Sequence, residues 1–337
     1  MNEINEEKIN CQLYNLSNQN VLNSLEYIAF NSNSTILLAI QQNIINSYYF
    51  KNNYLKHISS IKVLRKGKDH LEQLEYLKGS NSILTTIRNN ILIANLSCLK
   101  SRKILQKIGH RLYSGCQQML FNQNQNNLFI SSDNQVLFIE KNIEGWKQTQ
   151  KIQLGYRDYV ISMCLNLQED ELQIYADDGY NCSAYIYIYQ KQTQQQEINW
   201  ILIQNMRFGN GIGKLWGGFV NQLLFFNEFS LDVYKKSNQS QDYIEYVSSQ
   251  IQSRSLIFCQ FLQNKLVLLI EKNNTIRVMK LNLQQKLEFV KSIEIDMSAL
   301  INKFSYYSSI KATLTQDENF LIIWNQEKTL IIKMIYI

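Results

Sequence analysis

A pattern of apolar runs returns along this chain at intervals of a little over 40 residues, and it restricts the fold more than any single motif does. Each unit is an apolar run ending in an aromatic residue or Leu, a polar turn, and two further apolar runs separated by a polar pair. The clearest copy runs from 115–121 through the polar stretch NQNQNN to 128–132, the pair Asp133-Asn134 and 136–139, and closes at Trp146. A second copy begins at 160–165, continues through 171–176, Asp177-Asp178 and 184–189, and closes at Trp200. Fainter copies place the ends of the first runs at Phe30, Leu77, Phe121, Leu165, Phe219, Phe261 and Leu314, in steps of 47, 44, 44, 54, 42 and 53 residues. A unit of that length holds four short strands. Seven of them predict an all-β fold, a seven-bladed β-propeller with residues 1–337 as a single domain.

The local chemistry agrees. Residues 183–189 and 275–280 alternate with period two and are rich in Ile, Val and Tyr, as a pleated strand requires. LEQLEYL at 71–77 has the spacing of one or two helical turns, but the repeat assigns it to a strand. By length alone, 337 residues would accommodate two domains. The chain has 12 glycines and no proline, which excludes polyproline linkers, collagen-like segments and cis-proline turns. Turn formation falls instead to Asn, Asp, Ser and Gly. Asn and Gln number 38 and 33, a skew read here as compositional background. At 45% hydrophobic, with 15 Phe, 20 Tyr and 4 Trp, the chain has the material for a large core.

Gly109-His110, Phe121-Asn122, Asp133-Asn134 and the run 136–139 make the third unit resemble a WD40 repeat, with Gly155-Tyr156 and Asp69-His70 at the Gly-His position of neighbouring units. The resemblance extends over nearly the whole chain and implies a degenerate WD40-like propeller. The Trp-Asp signature is missing. Where the family places Trp, this chain has Phe50, Ala94, Glu140, Tyr189, Tyr234, Met279 and Lys333, and at the Asp position Lys51, Asn95, Lys141, Gln190, Lys235, Lys280 and Met334. The family's buried network of His, Ser, Asp and Trp therefore cannot form in its usual shape. Packing between stacked sheets has to stabilise the blades instead, at about 25 cal/mol per Å² of apolar area buried.

Catalytic chemistry finds little support. The glycine-rich stretch GNGIGKLWGG at 209–218 lacks the strand-then-helix context of a phosphate loop and has no Ser or Thr after Lys214, so it reads as a flexible lead-in to the fifth unit. His57, His70 and His110 accompany no nucleophile motif. Asp177-Asp178 falls in a predicted turn of the fourth unit, where Asp is ordinary. Trp146, Trp200 and Trp324 read as core packing. The cysteines at 11, 98, 116, 164, 182 and 259 form no metal-ligand spacing and read as buried reduced thiols. No catalytic, cofactor-binding or metal residues are assigned, and the expectation is a protein that is not an enzyme.

Residues 51–111 hold thirteen Lys and Arg against three acidic residues, a local charge of +10 in a chain whose net charge is +6. Arg65, Lys66, Lys68, Arg102 and Lys103 concentrate it in two loops of adjacent units and form a candidate basic interaction patch. LRKG at 64–67 is similar to the Arg-Arg-Gly motif of phosphoinositide-binding propellers, without its second Arg. The function expected is a non-enzymatic scaffold for protein–protein interactions within a multiprotein assembly. The alternative is a basic-face module for anionic lipid, such as a phosphoinositide, or for RNA. No apolar run reaches the roughly 18 residues of a membrane helix, and the first 20 residues lack the apolar stretch of a signal peptide. The expected location is the cytoplasm, including cytoskeletal or ciliary structures.

The last unit supplies only three strands, 309–315, 320–324 and 329–335, and would leave an unpaired edge. Residues 9–14 are expected to provide the fourth strand and close the ring. Deleting residues 1–20 should then lower the melting temperature by several degrees in a calorimetric scan, and an unchanged melting curve would rule the closure out.

Overall fold

The apolar runs become strands because branched and aromatic side chains suit a pleated, covered surface, and the polar clusters between them reverse the chain. The computed structural model describes residues 9–15, 25–31, 33–41, 44–51, 54–62, 71–77, 82–87, 90–95, 104–108, 116–178, 183–194, 197–208, 213–219, 222–227, 230–237, 242–250, 255–262, 265–272, 275–281, 287–294, 311–315, 320–324 and 329–336. These residues form strands in seven four-stranded sheets, and no helix occurs among them.

Strand β1 (Ile9–Asn15) belongs to the last sheet. Sheet I comprises β2 (Leu25–Phe30), β3 (Ile36–Gln41), β4 (Ile44–Lys51) and β5 (Tyr54–Lys62), and sheet II comprises β6 (Leu71–Leu77), β7 (Ser82–Ile87), β8 (Asn90–Asn95) and β9 (Ile104–Ile108). Sheet III comprises β10 (Gln118–Phe121), β11 (Asn127–Ser132), β12 (Gln135–Asn142) and β13 (Gly145–Gln153). Sheet IV comprises β14 (Asp158–Leu165), β15 (Glu171–Asp178), β16 (Ser183–Gln194) and β17 (Glu197–Phe208). Sheet V comprises β18 (Gly213–Phe219), β19 (Gln222–Asn227), β20 (Ser230–Lys236) and β21 (Tyr243–Gln250). Sheet VI comprises β22 (Ser255–Leu262), β23 (Lys265–Lys272), β24 (Thr275–Leu281) and β25 (Leu287–Glu294). Sheet VII comprises β26 (Lys311–Leu314), β27 (Phe320–Trp324), β28 (Thr329–Tyr336) and β1, which pairs antiparallel with β28 from Ile9 opposite Tyr336 to Asn15 opposite Leu330.

The chain divides into two units. One comprises Met1–Ile83, Ala94–Lys103 and Ser253–Ile337 and carries sheets I, VI and VII. The other comprises Leu84–Ile93 and Ile104–Gln252 and carries sheets III, IV and V, while the strands of sheet II fall across the division.

The ends of the first strands were legible almost to the residue. The first strands of six sheets end at Phe30, Leu77, Phe121, Leu165, Phe219 and Leu314, as the spacing predicts, and β22 runs one residue past Phe261. A shared turn explains the sharp ends. Asn31, Asn122 and Asn166 each follow a first strand, and each side-chain Oδ1 accepts from two backbone N–H groups on the far side of the turn: Thr35 and Ile36, Asn126 and Asn127, Asp170 and Glu171. Three residues beyond each Asn the backbone turns left-handed, at Ser34, Gln125 and Glu169 with φ of 53°, 50° and 58°. A glycine would suit those positions better. The Asn side chains, at 9%, 7% and 7% exposure, act as the turn's buried scaffold.

Beyond each turn the third strand donates back to it, through the N–H of Phe50, Lys141 and Lys191 to the carbonyls of Thr35, Asn126 and Asp170. The pairing of third and fourth strands then shifts by one residue at Ser47/Tyr48, Phe138/Ile139, Ile188/Tyr189, Val233/Tyr234 and Val278/Met279. These bulges align Tyr48, Ile139, Tyr189, Tyr234 and Met279 with one another. Of the residues named for the missing Trp position, Tyr189, Tyr234 and Met279 share this register, while Phe50 stands two residues and Glu140 one residue further along the third strand.

Second and third strands are covered on both faces. In the second unit, Leu172, Ile174 and Ala176 of β15 pack with Phe129, Val136 and Phe138 of sheet III, while the alternate residue Tyr175 packs with Leu215, Leu223 and Phe225 of sheet V. Tyr187 and Tyr189 of β16 face sheet III, and Ile186 and Ile188 face sheet V. Trp200 completes the first cluster, its ring 5.4 Å from that of Phe129. Trp146, Trp200 and Trp324 are all buried, as expected. In the first unit, Leu37, Ala39, Tyr48 and Phe50 of sheet I pack with Ile322 and Trp324 of sheet VII, and the Phe50 and Phe320 rings meet edge-on at 5.1 Å.

Glutamine amides fasten the sheets of the second unit to one another. Gln118 accepts from the Met163 N–H at 2.5 Å and donates to its carbonyl at 3.1 Å. Gln150 clasps Trp200 in the same two-bonded way, at 2.8 and 3.0 Å, and Gln204 clasps Tyr243 at 2.8 and 3.1 Å. Each amide imitates one residue of a neighbouring strand. A buried ion pair adds to this between sheets IV and V: Lys236 Nζ meets Glu171 Oε1, while the Tyr243 hydroxyl donates to Glu171 Oε2 at 2.7 Å. Burial, reinforced by that hydrogen bond, pushes the Tyr243 hydroxyl well above the ordinary tyrosine range.

Because the Glu171 N–H is buried, removing its acceptor leaves it unsatisfied. Asn166→Ala should cost about 1–3 kcal/mol of unfolding free energy, measured as a lower denaturant midpoint, whereas Gln123→Ala in the exposed part of the preceding turn serves as a near-neutral control. Equal midpoints for the two variants would refute the role assigned to Asn166.

Candidate functional site

The link from sheet III to sheet IV is held more tightly than its sequence, LGYRD, suggests. Asp133, left-handed at φ 51°, and Asn134 form the two-residue turn between β11 and β12, and their carbonyls accept from the N–H groups of Val160 and Leu154. Asn134 Nδ2 donates to the Gly155 carbonyl at 3.0 Å, and the Asp158 N–H closes a turn back onto the same carbonyl at 3.1 Å. The Asp158 carboxylate then accepts from the Tyr187 hydroxyl at 2.6 Å. Burial, with that hydrogen bond behind it, raises the Tyr187 hydroxyl well above the usual range, and burial pushes Tyr189 up to about 12. A Cβ on Gly155 would stand 2.4 Å from Asp158 Oδ2, so the glycine leaves the room in which Asp158 meets Tyr187.

This frame displays Tyr156, 93% exposed, the exposed Arg157, and Tyr159 and Ile161 at 44% and 39% on β14. Asp177 lies opposite Tyr159 in the ladder, Asp178 opposite Asp158 and opposite Ser183, and Ser183 Oγ accepts from Arg207 at 2.9 Å. One end of sheet IV thus gathers tyrosines, arginines and carboxylates around a braced turn. Tyr and Arg are the residues most enriched where proteins meet, since each combines area with directional polar groups.

Other sequence candidates fare differently. Asp177 and Asp178 end strand β15 instead of sitting in the turn, because the ladder with β14 continues to Asp158. Burial, then the neighbouring Asp178 charge, raises the Asp177 carboxyl above the usual range. Of the glycine-rich stretch, 209–212 lies outside the described residues, while Gly217 and Gly218 stand where β18 shifts register against β19, a bulge that suits glycine. His57 is exposed on β5 with Nε2 2.8 Å from Ser60 Oγ, and that hydroxyl bonds Asn46; His70 and His110 lie outside the described residues. Cys116 and Cys164 are buried and in no disulfide, and Cys164 Sγ donates to Gln173 Oε1 at 3.2 Å. Arg65, Lys66, Lys68, Arg102 and Lys103 all lie outside the described residues. Among the described residues, no group of three His, Cys, Asp or Glu side chains could hold a metal, and no helix is long and apolar enough to cross a membrane.

No family model matches the chain, and no curated protein matches it. Solved structures do. A chain in the crystal structure of the mitotic checkpoint complex is similar over 97% of this chain and 94% of that one, with a TM-score of 0.66 at 9% identity. The match shows a WD40-like fold. Since 978 solved chains match, the likeness describes an architecture shared by many proteins.

The raised Asp177 carboxyl has a definite sign. A carboxyl that binds its proton more tightly when folded favours the fold at low pH, and loses that contribution as pH rises through the unfolded and then the folded pKa. Asp177→Asn should therefore raise the melting temperature near neutral pH and leave it unchanged near pH 3, below the ordinary Asp value of about 3.9. An equal gain at both pH values would contradict this.

Proposed function

We propose that the chain is a degenerate WD40-like, seven-bladed propeller, one domain closed into a ring by β1, serving as a non-enzymatic scaffold in a multiprotein assembly. Seven four-stranded sheets, the pairing of β1 with β28 and the likeness to a WD40-like chain support the fold reading. The observation that carries the functional reading is the braced turn at Gly155–Asp158, whose buried frame displays Tyr156, Arg157 and Tyr159 to solvent. Holding the backbone of the turn in advance reduces the ordering cost that binding would otherwise meet. The neighbour is itself part of a multi-subunit complex, which supports protein partners for this architecture. A cytoplasmic location, cytoskeletal or ciliary structures included, completes the reading.

Full-length chain and a Tyr156→Ser/Arg157→Glu/Tyr159→Ser variant, each affinity-purified from its native cells, provide the test by mass spectrometry. The variant should keep its melting curve and lose a defined set of co-purifying proteins. Identical sets for the two chains would sink this surface as the docking site.

A further inference from the structure

Strand β17 is the edge strand of sheet IV, its backbone met at Trp200 by the Gln150 amide of sheet III. It ends the order of sheet IV, with only β16 beside it, and β16 and β17 are the longest strands among the described residues at 12 residues each. Beyond the shared bulge this hairpin continues for more residues than its counterparts β4–β5, β12–β13, β20–β21 and β24–β25. Three consecutive aliphatic residues lie exposed on it: Ile201 at 42%, Leu202 at 45% and Ile203 at 38%. The corresponding edge strand of sheet III instead exposes Lys147, Thr149, Lys151 and Gln153. Strand β17 also exposes Asn199, Asn205 and Arg207, so its apolar centre is flanked by polar residues, and an exposed apolar edge is a template for pairing with another chain.

The sequence of β17 is partly symmetric about Leu202, with Ile and Asn repeated on both sides and Trp200 set against Gln204. Antiparallel pairing of two copies centred there places Ile201 opposite Ile203, Asn199 opposite Asn205 and Ile198 opposite Met206. It also places Glu197 of one copy at the register position of Arg207 of the other, so residues of opposite charge meet at both ends. A strand whose pairing rule maps it onto itself is what a twofold interface requires, each contact being made twice. The backbone supports the same geometry. At Trp200 both N–H and C=O are already taken by the amide of Gln150, which shows that this edge accepts a second amide in strand-like fashion.

We propose that β17 is a homodimerisation edge, on which a second copy of this chain adds its own β17 antiparallel about a twofold axis at Leu202. A main-chain amide of the second copy replaces the Gln150 side chain at Trp200. The inference goes beyond the scaffold reading; the two share Arg207, which bonds Ser183 opposite Asp178, so the scaffold test substitutes only Tyr156, Arg157 and Tyr159.

Sedimentation equilibrium of the full chain at concentrations up to about 100 µM tests it. The expected result is a dimer. Leu202→Lys should make the chain monomeric with its melting curve retained, because Leu202 is half-exposed. Glu197→Arg and Arg207→Glu should each raise the dissociation constant by about tenfold, since every dimer contains the pair twice, and the two together in one chain should restore it. A wild-type chain that stays monomeric overturns the proposal. So does a dimer indifferent to the single reversals, or a double reversal that fails to rescue; the charge variants decide the matter even if Leu202→Lys does not fold.

Discussion

Sheets with apolar residues on both faces of their second and third strands must be covered twice, and this requirement organises the chain. In β15, Leu172, Ile174 and Ala176 turn to one neighbouring sheet and Tyr175 to the other, so neither face can be left to water. The hydrophobic term is large but has no direction. Direction comes from glutamine amides that clasp a backbone residue of the adjoining sheet, at Met163, Trp200 and Tyr243. Because such a clasp uses both N–H and C=O of its target, it specifies the register between sheets and not merely their proximity. The Glu171–Lys236 pair belongs to the same interior: burying two charges is costly, and the Tyr243 hydroxyl supplies the extra bond that such a pair needs.

The surface follows from that interior. Tyr156 and Arg157 project from a turn whose carbonyl, amide and carboxylate are all engaged below it, by Asn134 and Tyr187 among others. In the WD40 family a network of His, Ser, Asp and Trp braces the blade. Here a Tyr–Asp hydrogen bond and a glycine without room for a side chain brace the link between sheets III and IV, and Tyr156 and Arg157 between them stand exposed.

Strand positions were readable from the sequence because the turn chemistry is abrupt: Phe30, Phe121 and Leu165 are each followed by the Asn that reverses the chain. The N-terminal strand was readable for a different reason, a last unit lacking one strand. The glutamine clasps were not readable. With 33 glutamines in the chain, nothing local distinguishes Gln150 from Gln148, and the distinction arises only where a bulge turns one of them toward the next sheet. Asp177 and Asp178 misled for a similar reason, since a polar pair that usually makes a turn was absorbed into a ladder by its partners Tyr159 and Asp158. The site was legible only in part: Gly155-Tyr156 stood out by position, but exposure and bracing are properties of the folded chain.

The asparagine turns also depend on the amide staying an amide. Each Asn serves as acceptor through Oδ1 and as donor through Nδ2, to Thr35 Oγ1 at 3.0 Å, to Asn126 Oδ1 at 2.6 Å and to Asp170 Oδ1 at 2.6 Å. Asparagine is among the thermolabile residues, and its spontaneous hydrolysis yields a carboxylate. At Asn31 such a change costs a donor. At Asn166 it would oppose the new carboxylate to Asp170 across a gap now closed by a hydrogen bond, so the ageing of a single side chain acts there as a charge inserted into the joint between two strands.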